Sequence, residues 1–155
     1  RAVVADLSEA KVTVTGVPDR PGIAANLFRR LADADVNVDM IVQNASEGGV
    51  TDISFTVPRL ELDQALQICE DKRAEIGAEH VTSGQSIAKV SVIGAGMKSN
   101  PGVAATVFET LANHEVNIEM ISTSAIRISC VIAHDQADRA VQDLHDVFEL
   151  EKTEF

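Results

Sequence analysis

The apolar positions of this chain follow two periods in turn, and the whole succession occurs twice. Lys11–Gly16 alternates Val12 and Val14 with polar threonines, the period of a strand with one buried face. The turn Pro18-Asp19-Arg20-Pro21-Gly22 comes next. Ala24, Leu27, Phe28, Leu31 and Ala32 then recur at spacings of three and four, which predicts a helix ending near Asp33–Asp35. Period two returns where Val36, Val38, Met40 and Val42 alternate with Asn37, Asp39, Ile41 and Gln43, so a second strand with a largely polar outer face is expected. Gly48-Gly49 marks a turn into a third strand with Ile53, Phe55 and Val57 on one side. After Pro58, Leu62, Ala65, Leu66 and Cys69 predict a second helix, and Glu79–Ser83 a closing strand. The order is βαββαβ.

The downstream half repeats this order. Pro21–Ile41 and Pro101–Ile121 are identical at eleven of twenty-one positions without a gap, at an offset of 80, whereas Lys11–Gly16 and Lys89–Gly94 match at an offset of 78. The second turn is therefore two residues longer. The second copy puts Val90 and Val92 in its first strand and Ala104, Val107, Phe108, Leu111 and Ala112 in its first helix. Val116, Ile118 and Met120 fall in the next strand, and Ile126, Ile128, Cys130 and Ile132 in the third. Ala137, Ala140, Val141, Leu144 and Phe148 predict the last helix, and Glu149–Thr153 the last strand. Two copies of one fold follow. The expected protein is α+β, with two tandem ferredoxin-like units at residues 1–84 and 85–155, each an antiparallel sheet with two helices on one face. Units of about 70–75 residues have small cores, so each is expected to pack on the other or on a second chain.

Composition narrows what such a pair can bind. Aromatic residues make up 3%, with no Trp or Tyr, and 13 basic residues face 24 acidic ones for a net charge of −11. A phosphate backbone needs clustered Lys and Arg, so neither nucleic acid nor an anionic membrane is an expected partner. Cys69 and Cys130 lie in apolar segments without C-x-x-C spacing and read as buried free thiols of a reducing compartment. No apolar run reaches the roughly 18 residues of a membrane span, and the first residues lack the layout of a secretion signal, so the expected location is cytoplasmic.

The chemistry of the repeat sits where the first strand hands over to the first helix. In Asp19-Arg20-Pro21-Gly22-Ile23-Ala24, proline suits the first helical position, and the N–H groups of Gly22, Ile23 and Ala24 stand at the positive end of the helix dipole, where a carboxylate is welcome. Asp19 beside them offers a partner to an ammonium group. The start of the second strand, with Asn37 and Gln43, is expected next to this turn. A plainer reading stands alongside: Pro-Gly is an ordinary helix-opening turn, Asp19 a helix cap, and Asn37 and Asn117 strand-edge residues that satisfy backbone groups. In the second copy Ser99-Asn100-Pro101-Gly102 keeps the turn without the acid. Gly94-Ala95-Gly96 lacks the third glycine of a dinucleotide fingerprint. His80, His114, His134 and His145 are scattered without metal-ligand spacing and read as surface residues. No nucleophile, base and oxyanion donor assemble, so no catalytic residue and no metal or organic cofactor is expected.

Ser8–Asn44, Thr51–Pro58, Lys89–Phe108 and Val116–Ser129 resemble the tandem ACT regulatory region of bacterial aspartate kinases over nearly the whole chain. The pattern V-N-[VI]-[DE]-M-I, together with Gly94-Ala95-Gly96-Met97-Lys98 and Ser122-Thr123-Ser124-Ala125-Ile126-Arg127-Ile128-Ser129, is far more specific than the fold. The kinase motif K-F-G-G-[ST]-S is absent. The resemblance therefore implies a regulatory β subunit or an equivalent fragment, partnered with a catalytic α subunit and with a second copy of itself. It implies feedback inhibition by an end-product amino acid, threonine ahead of lysine, held between the first ACT unit of one chain and the second ACT unit of its partner. Carried over residue by residue, that site takes Asp19, Pro21, Gly22, Ile23, Ala24, Asn37, Val38 and Gln43 from the first unit and Asn117 and Ile118 from the second. The family also has an early strand, which Ala2–Ala5 would supply, so that units share strands. Ala125 stands where the family has glutamate, which weakens any site that needs a carboxylate for a lysine ammonium.

Three rival readings remain. One is a structural dimerisation subunit without effector binding, to which Ala125 lends weight. Another is an acylphosphatase-like enzyme, for which Arg20 beside Pro21 is a poor anion loop. The third is an RNA-binding ferredoxin-like domain, which the lack of exposed aromatics on strands one and three opposes.

Overall fold

The computed structural model describes residues 2–44, 48–94 and 101–153, with side chains described as far as residue 148. Ser8–Gln85 form one compact unit, and Arg1–Leu7 with Ser86–Phe155 form the other. Against the expected 1–84 and 85–155, with an early strand shared between units, the first seven residues go with the downstream unit and Gln85 with the upstream one.

In the Ser8–Gln85 unit, β2 (Glu9–Pro18) leads through a turn to α1 (Ile23–Asp33), then β3 (Ile41–Gln43), β4 (Val50–Pro58), a 3-10 turn (Arg59–Glu61), α2 (Leu62–Ile76) and β5 (His80–Gly84). The sheet order is β3-β4-β2-β5, antiparallel throughout. Val12 and Val14 of the central strand lie opposite Phe55 and Ile53 of β4. They share a core with Leu27 and Leu31 of α1 and with Ala65, Ile68 and Cys69 of α2. Both helices therefore cover one face. Phe28 meets Phe55 edge-on at 5.4 Å between ring centroids, the approach that aromatic quadrupoles favour.

The downstream unit repeats the plan with one substitution. It runs β6 (Ile87–Ile93), α3 (Pro101–Asn113), β7 (Met120–Thr123), β8 (Arg127–Ala133), a 3-10 turn (His134–Gln136) and α4 (Ala137–Thr153). The strand that completes its sheet comes from the start of the chain. β1 (Ala2–Asp6) pairs antiparallel with β6, Val3 opposite Val92 and Asp6 opposite Lys89, in the order β1-β6-β8-β7. The strand expected at Glu149–Thr153 is instead the last turn and more of α4. Glu-Leu-Glu-Lys is built from strong helix formers, whereas Ala-Val-Val-Ala carries the β-branched residues that suit an edge strand.

Both second strands are shorter than the alternation predicts. Asp39 N–H bonds the Thr56 carbonyl at 3.0 Å, but Met40 N–H goes to Thr56 Oγ1 at 3.0 Å. A side-chain hydroxyl thus stands in the ladder, and regular pairing begins only at Ile41. Ile41 is half-exposed, as are Phe108 and Ile126, for which the periodicity predicts burial. Ala32 and Ala112 are likewise exposed. The duplication persists in fine detail on the face turned from the helices, where Thr13 and Ser54 hydroxyls meet at 2.9 Å and their counterparts Ser91 and Ser129 at 2.8 Å. Among the described residues no helix is long and apolar enough to cross a membrane.

The first helix of each unit stops in the same way. Val36 N–H bonds Leu31 O at 3.0 Å and Asp35 N–H bonds Ala32 O at 3.0 Å; Val116 and Glu115 repeat this onto Leu111 and Ala112. These paired bonds define a Schellman cap, whose turning residue is left-handed and usually glycine. Here it is Asp35 (φ 59°) and Glu115 (φ 57°). Relieving that strain in Asp35→Gly is expected to stabilise the chain by about 1 kcal/mol, read as a higher urea midpoint with unchanged slope. Burial pushes the Cys69 thiol up to about 12, with Glu70 adding to it, and the Cys130 thiol up to about 11. The folded chain holds these protons above the ordinary value of 9.0. Their contribution to stability is thus whole below that pH and lost as pH rises through 11 towards 12. A Cys69→Ala, Cys130→Ala double variant should lose stability less steeply above pH 9.0 in urea titrations.

Candidate effector site

β2 does not reach its turn straight. Its register against β4 slips between Val14 and Val17, so Thr15 and Gly16 together face Asp52. Gly16 takes φ +65°, donates its N–H to Asp52 Oδ1 at 3.1 Å, and lies where an added Cβ would come within 2.5 Å of Glu79 Cγ. Such a bulge bends the strand and re-aims the segment beyond it. That segment is the Pro18–Gly22 turn, which carries the candidate chemistry. Asp19 N–H bonds Gly49 O at 2.9 Å, Arg20 N–H bonds Pro18 O at 3.0 Å, and the chain enters α1 at Ile23.

Pro21 is not the first helical residue, contrary to the sequence-based expectation. Gly22 caps α1 in a left-handed conformation, φ 91°, with no side-chain hydrogen bond to the cap. An added Cβ there meets nothing within 4 Å, so glycine is required by backbone angle and not by crowding. Ile23 N–H turns back to Arg20 O at 3.3 Å. Among the described residues the N–H groups of Gly22 and Ala24 have no partner, and neither has the exposed Asp19 carboxylate. In the second copy Pro101 does open α3, while Ser99-Asn100 and Ala95-Gly96 lie outside the described residues.

Gln43 belongs to the same end of the unit as this turn. It lies opposite Ile53, and the next residue, Asn44, accepts the Thr51 hydroxyl at 2.6 Å; Thr51 in turn lies opposite Val17. Asn37 and Val38 do not. They come after the far end of an eleven-residue helix, about 16 Å from its start at 1.5 Å per residue. The expectation that the start of the second strand adjoins the turn of its own unit is therefore corrected. Val38 and Ile118 are half-buried and packed on their own cores. Asn37 is engaged by a residue that sequence reasoning passes over: its backbone N–H donates to Glu61 Oε1 at 3.0 Å, and Nδ2 lies 3.4 Å from both Glu61 oxygens. Asn117, its counterpart, is exposed and unpartnered among the described residues. Aligning the two 3-10 turns, where Glu61 matches Gln136, would flag the difference. His114, which the sequence places at the surface, is half-buried; Nε2 lies 3.3 Å from Asp143, and Nδ1 lies 3.2 Å from Arg139. No group of three His, Cys, Asp or Glu placed for a metal occurs among the described residues.

The model of the ACT domain matches residues 12–72 and 90–148, one match per unit, and the chain belongs to the ACT-domain family. It is 52% identical over 150 residues to the aspartokinase of Mycobacterium tuberculosis (strain ATCC 25618 / H37Rv), covering 96% of this chain and 36% of that protein. It thus spans about a third of the length of such relatives, 36%. The regulatory subunit of aspartate kinase from Thermus thermophilus is 40% identical, with a TM-score of 0.91 over 96% of this chain and 97% of that one. A chain from a crystal structure of aspartokinase alpha and beta subunits is 42% identical, also at 0.91, over 96% and 98%. The chain is a member of the aspartate kinase regulatory-subunit family, matching the ACT region and not the catalytic kinase domain.

The bulge that aims the turn yields a prediction. Gly16→Ala should cost about 1–2 kcal/mol through its left-handed backbone and its clash with Glu79, measured as a lowered urea midpoint.

Proposed function

We propose that this chain is a non-catalytic allosteric subunit of aspartate kinase that binds an end-product amino acid, threonine ahead of lysine, and relays feedback inhibition. The observation that carries this reading is the conjunction at one corner of two unpartnered helix-opening N–H groups, Gly22 and Ala24, with the exposed carboxylate of Asp19. Helix N–H groups with the dipole behind them suit an α-carboxylate, and Asp19 suits an α-ammonium. Pro21 and Ile23 hold the loop in shape. Gln43, at the same end, offers an amide to a short polar side chain such as a hydroxyl.

Asn117 and Ile118 complete the pocket in this reading when the second unit of a partner chain closes over the turn. Ligand binding then clamps two chains into a homodimer and biases the catalytic alpha subunit. The coupling needed is of the usual size for allosteric effectors, about 1–3 kcal/mol. A similar chain comes from a crystal structure of aspartokinase alpha and beta subunits, which supports association with a catalytic subunit. Ala125, at the exposed tip between β7 and β8, adds no carboxylate for a lysine ammonium, which weighs toward threonine. Isothermal titration of the chain with threonine, lysine, methionine and isoleucine should show heat with threonine. Asp19→Ala should weaken that binding at least tenfold and abolish ligand-dependent dimerisation, whereas silence toward all four amino acids would sink the proposal.

A further inference from the structure

The two repeats differ in what faces the asparagine that opens their second β segment. The strands β4 and β8 end at Pro58 and Ala133, and a three-residue 3-10 turn comes after each, so Glu61 and Gln136 occupy equivalent places. In the downstream unit Gln136 Nε2 donates to the carbonyl of Glu115, just past the end of α3, at 3.3 Å. In the upstream unit a different amide bonds a carbonyl one place earlier: Gln64 Nε2 donates to Ala34 O, just past α1, at 3.2 Å. Glu61, whose carboxylate only accepts, cannot make the bond to a carbonyl that Gln136 makes, and it turns onto Asn37 instead, taking the backbone N–H and lying within reach of the side-chain amide. A backbone N–H beside a carboxamide is a donor pair suited to a free carboxylate, and at Asn37 a carboxylate of the chain itself is seated there. At Asn117 the same pair is open among the described residues.

We propose that Glu61 is an internal stand-in for the effector carboxylate, which in the reading above the Asn117 pair of a partner chain shares with the Gly22 and Ala24 N–H groups; it closes the Asn37 corner so that the chain presents one open corner, at Asn117, and not two. The inference rests on the effector reading above and specifies which half of the duplication it uses. A side chain anchored on the adjoining turn acts at an effective concentration on the order of millimolar or more, so a free amino acid held by the same two donors competes poorly with it. In Glu61→Ala the Asn37 pair is unmasked. In Gln136→Glu the tether to Glu115 is lost and a second stand-in is placed beside Asn117.

Amide spectra of the 15N-labelled full chain, titrated with threonine and separately with lysine, test this directly, with circular dichroism and melting to confirm that each variant folds. The expected result is that the Asn117 signals move and the Asn37 signals stay still in the unaltered chain. Both should move in Glu61→Ala, with calorimetric stoichiometry rising from one to two per chain, and Gln136→Glu should weaken threonine binding at least tenfold. Asn37 signals that move equally with and without Glu61, or that stay still in Glu61→Ala while Asn117 responds, would overturn the proposal and leave the effector reading intact. If neither asparagine nor the Asp19–Ala24 turn responds in any variant, the effector reading falls and this inference with it.

Discussion

Everything in either unit depends on one apolar sheet face closing against two helices. Val12 and Val14, or Val90 and Val92, sit at the middle of that face, with fully buried Phe55 beside them and Leu27 and Leu31 above them in one unit, and Val107, Leu111 and Leu144 above them in the other. Deleting such a side chain costs on the order of 2–5 kcal/mol, a large share of what a small domain has. The interior is therefore rigid in composition, and variation is pushed to the strand-helix turns at the two ends. That is where this chain differs between its copies, and where a regulatory domain of the ACT family has freedom to acquire or lose a ligand.

Duplication makes those differences readable as chemistry. The Schellman caps at Asp35 and Glu115 and the hydroxyl pairs on the outer faces recur. Against that constancy, three departures stand out. One copy opens its first helix through a left-handed glycine and the other through a proline. One seats a carboxylate on its asparagine and the other does not. Just past its first helix the downstream copy sets His114 against Asp143 and Arg139 of its second helix, where the upstream copy has Ala34. Identical cores with unlike corners are what a pair of domains needs if its halves are to take different parts in binding.

Period and repeat make most of the fold legible in the sequence, because burial on one face leaves a signal at every second or every third and fourth residue. Where they mislead, a local bond overrides the pattern. The alternation from Val36 to Gln43 runs on through five residues that are not strand, since the Thr56 hydroxyl takes the place of a ladder carbonyl. Proximity in sequence points to Glu149–Thr153 for the closing strand of the downstream sheet, whereas pairing energy is indifferent to separation once the chain has folded back. At the candidate site, the turn residues are visible from glycine, proline and acid in succession. Glu61 is not, because a carboxylate after a strand looks like any solvated charge until its partner, Asn37, is brought to it by the helix between them.

The pairing of β1 with β6 makes the upstream unit an insertion inside the downstream one. Val3 finds Val92 only after the intervening residues have been traversed, so this pairing is among the most non-local in the chain, and closing such long loops slows folding. During synthesis the upstream unit can be complete while the strand Ala2–Asp6 still waits for its sheet, an exposed edge that carries the adjacent valines Val3 and Val4. The order of assembly is thus the reverse of what a simple tandem implies: the unit that begins first finishes last.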